Sequence, residues 1–413
     1  MNASALSNRN YLIYFVGNTL SLHGSWVYRV ALGWLAWQLT GSEFWVGVIA
    51  FTQFAPTVLF GPIFGVLADR FDRRAASILI NTLSILNMLL CALLTAMGNT
   101  DIYVLTVLAM MQGILDGAHT PVRMALVPNL VTDEQLQSAL ATNSISFNLS
   151  RFIGPAIAGI LIATLGVASA FAFNGISYIA ILSSLLIVRL RPSKQTNRVR
   201  NDVWHELKEG IRYVARHRQI RALLAVIAAG SVLGRGPLEL LPAFADAIFN
   251  RGSVGLAILT SAIGGGAIIA GLILARGAAW LRIEVVAAGI SVAGFLLMLL
   301  GISSQFWLST AVIAALGCTL SLCGVGSQIL LQTIVEDSVR GRVSSLWGMV
   351  AFGGVALGGL VIGSLSSAFG LREVTFVAGG LCSLFVLAIM LRRRKLMRSR
   401  LRELVTRRLE RES

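Results

Sequence analysis

The sequence predicts an all-α polytopic membrane protein, with twelve transmembrane helices in two pseudo-symmetric six-helix bundles. Three observations predict it. Of 413 residues, 56% are hydrophobic and 13% charged, with a mean hydropathy of +0.77, and the apolar residues gather into runs close to the ~20 that cross a bilayer as helix. Basic residues collect in alternate segments between those runs, as they do when one set of loops stays in the cytoplasm. Displacing the chain by 204 residues superimposes Asp133 on Asp337, Gly154 on Gly358, Gly159 on Gly363, Gly166 on Gly370 and Gly175 on Gly379 without gaps, the pattern of duplicated halves. The alternating segments of about ten residues that a membrane barrel needs are absent.

Apolar runs bounded by charge, Gly or Pro place the first six spans near 11–38, 44–68, 75–97, 103–126, 138–165 and 168–188. The second six fall near 220–248, 254–274, 283–302, 306–334, 343–368 and 374–391. The polar stretch 1–10 precedes the first run, which has no small-residue cleavage site, so that run reads as a retained span. Arg70, Arg73, Arg74, Arg123, Arg276, Arg282, Arg340 and Arg342 lie on one side together with the segment 189–219 and the basic tail; Arg251 and Arg372 lie on the other. Both termini are therefore expected in the cytoplasm.

Four units follow: a bundle over 1–188, a linker over 189–219, a second bundle over 220–391 and a tail over 392–413. In the linker, Val203, Leu207, Ile211 and Val214 recur at helical spacing among Lys208, Arg212 and Arg216, which reads as an amphipathic helix on the membrane face. The tail mixes leucines with many arginines and reads as a helix on anionic lipid. The net charge of +15 is accounted for by these segments, so membrane lipid is the expected partner and nucleic acid is not. Cys91, Cys318, Cys323 and Cys382 sit in apolar runs without metal-ligand spacing. No Gly-x-x-x-x-Gly-Lys-Ser/Thr phosphate loop occurs, so no ATP motor of that kind is present and neither cofactor nor metal is expected.

A charge inside the bilayer costs roughly 2.5–3.5 kcal/mol. Five deep charges therefore mark the candidate site: Arg29 in the first span, Asp116 in the fourth, Arg151 in the fifth, and Arg235 and Glu239 in the seventh. Asp116, His119 and Arg123 share one face of the fourth helix. Burial favours a neutral carboxyl and nearby arginine favours a charged one, so Asp116 is a proton-coupling candidate, and Glu239 is a second. A static pair of Asp116 with Arg29 or Arg151 would use the same residues, and Arg235 and Glu239 can pair across one turn. On the fifth helix Asn143, Phe147 and Arg151 share a face, followed by Gly154, Pro155 and Gly159, where the proline frees a carbonyl and the glycines admit a neighbouring helix.

Two motifs carry a resemblance. The stretch GPIFGVLADRFDRR, 61–74, resembles the signature Gly-x-Leu-Ala-Asp-Arg-x-Gly-Arg-Arg/Lys of the major facilitator superfamily, with Asp72 where the family has glycine. RFIGPAIAG resembles its antiporter signature, with Ser150 and Ala158 in place of two glycines. Together with ALGWLAWQLTGSEFWVG, WHELKEGIRYVARHR, LELLPAFAD and VRGRVSSLWGM, the chain is similar to the bacterial branch that contains the enterobactin exporter and related drug and macrolide efflux proteins. That resemblance implies a cavity between the bundles, lined by the first, fourth, seventh and tenth helices. Trp26, Arg29, Trp34, Arg235, Gln328 and Gln332, with Asn143, Phe147 and Arg151, are its candidate lining. It also implies a cytoplasmic gate of Gly65, Asp69, Arg70 and Arg74 closing near Arg123 and Arg342, where a carboxylate meets the positive end of a helix dipole.

The implied protein is a monomeric secondary transporter of the bacterial inner membrane, not an enzyme, exporting small amphipathic molecules such as drugs or siderophores in exchange for protons. A lipid or lysophospholipid flippase and a non-transporting sensor or scaffold are the alternatives; the direction of flux is not written in the residues.

Overall fold

In a computed structural model of the chain, which describes residues 4–68, 72–189, 203–336 and 339–412, thirteen helices and no strands occur among the described residues. The first six are α1 (Arg9–Thr40), α2 (Glu43–Ala68), α3 (Arg73–Ala96), α4 (Ile102–Leu126), α5 (Asp133–Leu165) and α6 (Val167–Ile187). A linker helix α7 (Val203–Arg216) leads to α8 (Arg218–Ile248), α9 (Gly252–Ala275), α10 (Ile283–Ile302), α11 (Phe306–Ile334), α12 (Arg340–Phe369) and α13 (Leu371–Glu412).

Polar side chains set where the spans begin. Asn8 caps α1 by accepting from the backbone N–H groups of Asn10 and Tyr11, and Asp72 and Asp101 cap α3 and α4 in the same way. Thr132 and Gln135 form a reciprocal capping box on α5. Gly41 ends α1 in the left-handed region at φ 56°, which lets the chain turn tightly into α2.

Eleven of these helices are long and apolar enough to cross a membrane. The expected span at 11–38 is helical throughout α1, yet α1 falls outside that set, because Asn18, His23, Arg29 and Gln38 dilute its hydropathy. α1 contributes polar atoms to the interior, and the bundle rather than lipid must solvate them. The outer surface is apolar: Leu86, Phe295 and Leu384 are each more than half exposed.

The halves are visible in the packing. α2 packs on α4 and α3 on α6, and in the second half α9 packs on α11 and α10 on α13. Between halves, α2 meets α12 and α5 meets α9, contacts that exchange under the same pseudo-twofold operation. Both crossings rest on small residues. A Cβ on Gly47 would lie 2.5 Å from the carbonyl oxygen of Gly359, and a Cβ on Gly159 would run into the Cβ of Ala257.

The seventh span departs from a uniform helix. α8 is α-helical over Arg218–Ala229, π-helical over Gly230–Arg235, 3-10 over Gly236–Leu240, α-helical for one short stretch and π-helical again over Phe244–Ile248. Pro237 and Pro242 lack the N–H that a regular ladder needs, and Gly234 and Gly236 allow the change of pitch. The linker helix is present, and it packs on the start of α12: Arg342 Nη1 lies 3.1 Å from Glu209 Oε2. α13 continues without interruption through the tail.

Candidate functional site

The irregular part of α8 puts Arg235 at the end of its π turn and Glu239 in the 3-10 turn that follows. The expected pairing of these two is not made, since the i, i+4 geometry of an α-helix is absent between them. Glu239 is claimed instead by α1, whose Arg29 Nη2 donates to its two carboxylate oxygens at 3.0 and 2.9 Å. This ion pair joins the first helix of one half to the first helix of the other, with the side chains 28% and 18% exposed.

Aromatic rings enclose it. The Arg29 guanidinium lies 4.3 Å from the Phe54 ring centroid and 5.4 Å from that of Trp26, and such contacts add about 0.5–2 kcal/mol each. Phe54 stacks on Phe352 of α12 at 6.4 Å, across the halves. Trp26 meets Phe147 edge to face at 6.1 Å. Its position follows from Gly154, where a Cβ would come 2.4 Å from the Trp26 Cβ, so α5 presses directly on α1. Pro155 lies buried beside that contact.

Arg151 approaches the same indole, its guanidinium carbon 5.8 Å from the centroid, and Nη1 donates to Ser321 Oγ of α11 at 3.4 Å. Arg235 lines a cavity of about 50 Å3 with Ser231, Leu320, Trp347 and Phe352. Arg29, Arg151, Arg235 and Glu239 lie within electrostatic reach of one another.

Asp116 stands apart from this group. The expected pair with Arg29 or Arg151 is not formed: Arg29 is taken by Glu239, and Arg151 bonds Ser321. Asp116 Oδ1 accepts from Gln112 Nε2 at 2.9 Å. Gln112 also reaches Tyr178 Oη at 3.1 Å and Ser84 Oγ at 3.4 Å, and its Oε1 accepts from Asn87 Nδ2 at 3.3 Å. Gln112, Ser84, Asn87 and Tyr178 are buried while Asp116 is exposed, so the carboxylate ends a buried polar chain at the surface of the protein.

The other candidates are dispersed. Trp34 is buried, and its indole Nε1 has no hydrogen-bond partner among the described residues; the same holds for Asn143 Oδ1. Gln328 and Gln332 lie further along α11, about 10 and 16 Å past Ser321 toward the end carrying the termini. Arg123 is half-buried at the end of α4. Arg74 donates to the Leu186 carbonyl oxygen of α6 at 2.6 Å, and Arg342 is held by Glu209. Asp69 and Arg70 lie outside the described residues, as do the surroundings of Gly65. At Gly61 no atom of the described residues would lie within 4 Å of an added Cβ, so no other helix approaches closely there.

Several contributors carried little sequence signal. Phe54, Phe352 and Ser321 are ordinary membrane residues, identifiable only once the helices are packed. Asp246 and Gln112 are polar groups inside apolar runs, the same signal that marked Arg29. Asp246 Oδ2 accepts from Trp37 Nε1 at 2.9 Å, a second bond between α1 and α8, at the end away from the termini. At that end the Phe44 backbone N–H also donates to Ser367 Oγ at 2.9 Å. The halves thus close on each other there, through α1 with α8, α2 with α12 and α5 with α9.

A groove of about 600 Å3 lies between α5 and α9, walled by Phe152, Ile160, Val254 and Ile258. It is almost wholly apolar and holds none of the charged groups.

A family model described as transmembrane secretion effector, of the major facilitator class, matches residues 2–409. The staphyloferrin A transporter of Staphylococcus aureus is 27% identical over 266 residues, 64% of this chain and 66% of that protein. Macrolide efflux protein A of Streptococcus pyogenes is 24% identical over 295 residues, 70% of this chain and 72% of that protein. A solved structure of the nucleoside transporter NupG superposes with a TM-score of 0.71 at 13% identity, over 92% of this chain and 98% of that one, a likeness of fold alone.

Proposed function

The chain belongs to the transmembrane secretion effector family of major facilitator transporters, and on that premise we propose that it exports a small amphipathic molecule across the bacterial inner membrane in exchange for protons. It is a multi-pass membrane protein and a transporter rather than an enzyme. The observation that carries the reading is the Arg29–Glu239 pair, which bonds one half to the other beside aromatic walls at mid-span. A charged contact across the interface of two rocking bundles differs in energy between the two tilts, which is what a ligand or proton needs to bias them.

The termini and the linker face the cytoplasm in this scheme, with units over 1–188, 189–219, 220–391 and 392–413. The contacts at the opposite end keep the periplasmic side shut while cargo enters from the cytoplasm. Asp116 exchanges the proton: Gln112 holds the ionised carboxylate in place, and the side chain is exposed. Protonation neutralises this carboxylate and changes the balance of states. The opposing gate is assigned to Asp69 and Arg70, which lie outside the described residues, together with Arg74, whose guanidinium bonds α6. The relatives described as a siderophore transporter and a macrolide efflux protein support export of a small molecule.

The test is efflux of a panel of dyes and antibiotics from inside-loaded vesicles bearing the reconstituted protein, with and without an imposed proton gradient. Gradient-dependent efflux of any member is expected; efflux indifferent to the gradient would remove the proton.

A second reading, movement of a lipid, is favoured by the apolar groove between α5 and α9. Transfer of a fluorescent lysophospholipid between leaflets, abolished by Val254→Trp within the groove, would select it.

A further inference from the structure

The charges at the centre do not balance. Three guanidinium groups, Arg29, Arg151 and Arg235, converge on a region with one carboxylate in their midst, and both oxygens of that carboxylate are occupied by Arg29. Arg151 has one long hydrogen bond, to a serine hydroxyl, and a ring contact with Trp26. Arg235 makes no ion pair or side-chain hydrogen bond among the described residues, and it faces a cavity of about 50 Å3. That exceeds the roughly 10–15 Å3 of probe-occupied space that one water requires. Even with Asp116 ionised, the five deep charges sum to a positive value, and with Asp116 neutral the excess rises.

An unpaired cation at mid-span is expensive and is retained where it meets a substrate or an ion. A positively charged cargo would enter against this excess, whereas an anion would relieve it. Guanidinium groups are suited to oxyanions because their planar fork of N–H donors matches two oxygens at once. The remaining walls, Trp26, Phe147, Phe352 and Trp347, are flat and apolar.

We propose that this cluster takes an anionic aromatic molecule, the cavity of about 50 Å3 admitting only its carboxylate or equivalent oxyanion to Arg235, with Arg151 beside it and the ring system outside that cavity, against Trp26 and Phe352. This inference rests on the transport reading and names the class of cargo.

Binding of carboxyfluorescein to the full-length protein in phosphatidylcholine nanodiscs, read by fluorescence anisotropy, tests the proposal. Saturable binding displaced by 1-naphthoate and not by the isosteric 1-naphthamide is expected. R235Q and R151Q should each weaken it about ten- to hundredfold, while R235K and R151K, which keep the charge and fold independently of the Gln variants, should retain part of it. Equal displacement by the amide, no binding of carboxyfluorescein, or wild-type affinity in both Gln variants would overturn the proposal. Loss of binding when phosphatidylglycerol replaces phosphatidylcholine would also overturn it, by assigning the arginines to a lipid headgroup. Efflux of ethidium without anion binding would leave transport standing and remove the anion; anion binding without flux of any compound would do the reverse.

Discussion

Arg29 of α1 and Glu239 of α8 are joined by two hydrogen bonds of 3.0 and 2.9 Å, each residue being the partner that the other's own helix does not supply. Removing one side leaves the other charge without its counterpart in a region of low polarity. A fully buried pair broken in this way costs about 3–5 kcal/mol; partial exposure here reduces that to about 1–3 kcal/mol. Glu239→Gln and Arg29→Gln are both expected to lower the thermal unfolding midpoint in detergent, and the charge-reversed double variant Arg29→Glu with Glu239→Arg to recover part of the loss. Additive losses in a double-mutant cycle would show that the contact carries no coupling.

Asp116→Asn keeps an oxygen for Gln112 and removes the titrating group. Exchange of labelled for unlabelled substrate across vesicles should persist, while accumulation driven by a proton gradient should fall to the level of protein-free vesicles. Gradient-driven accumulation at the wild-type rate would place proton exchange elsewhere.

The α2–α12 crossing depends on backbone contact at Gly47. Gly47→Leu forces side-chain atoms into the Gly359 carbonyl, an overpacking of about 1–3 kcal/mol. The end away from the termini should open. In a variant whose native cysteines are replaced, labelling of a cysteine introduced at Ser253 by an impermeant maleimide should speed up about tenfold, while an unaltered labelling rate would mean that the crossing yields without opening.

Trp37→Phe removes the hydrogen bond to Asp246 and keeps the ring. A hydrogen bond to a charged group contributes about 1.5–3 kcal/mol, so the same maleimide assay should register opening in this variant, with little loss of expression or folding.

The contact between Glu209 and Arg342 is of a different kind. Its carboxylate is 42% exposed, and exposed pairs contribute about 0–1 kcal/mol. Glu209→Gln should leave the unfolding midpoint within a few degrees of wild type; a large fall would show that α7 holds the second bundle together.

Much of this architecture was legible before any coordinates. Spans are long-period features, and the ends of α4, α6, α10 and α11 fall within about two residues of their expected positions because charge, Gly and Pro punctuate them. The five deep charges were equally legible, since each interrupts an apolar run. Their partners were not. The expected Arg235–Glu239 bond assumed the winding of an α-helix, and glycine and proline gave Gly230–Leu240 another. Pairing across halves depends on the relative rotation of α1 and α8, which no local pattern encodes. Phe54 and Phe352 were silent for the same reason: an aromatic residue in an apolar helix becomes a wall only when something charged is set against it.

A rod of constant pitch resists bending along its whole length, since each turn is braced by the next. α8 changes pitch four times within one crossing of the membrane, so it has the compliance of a jointed strut. Arg235 and Glu239 ride on successive segments of it, one facing an empty space and the other anchored to α1. A load applied at the first residue is therefore felt at the second as torsion. The cavity and the anchor thus sit about one turn apart on a single irregular helix.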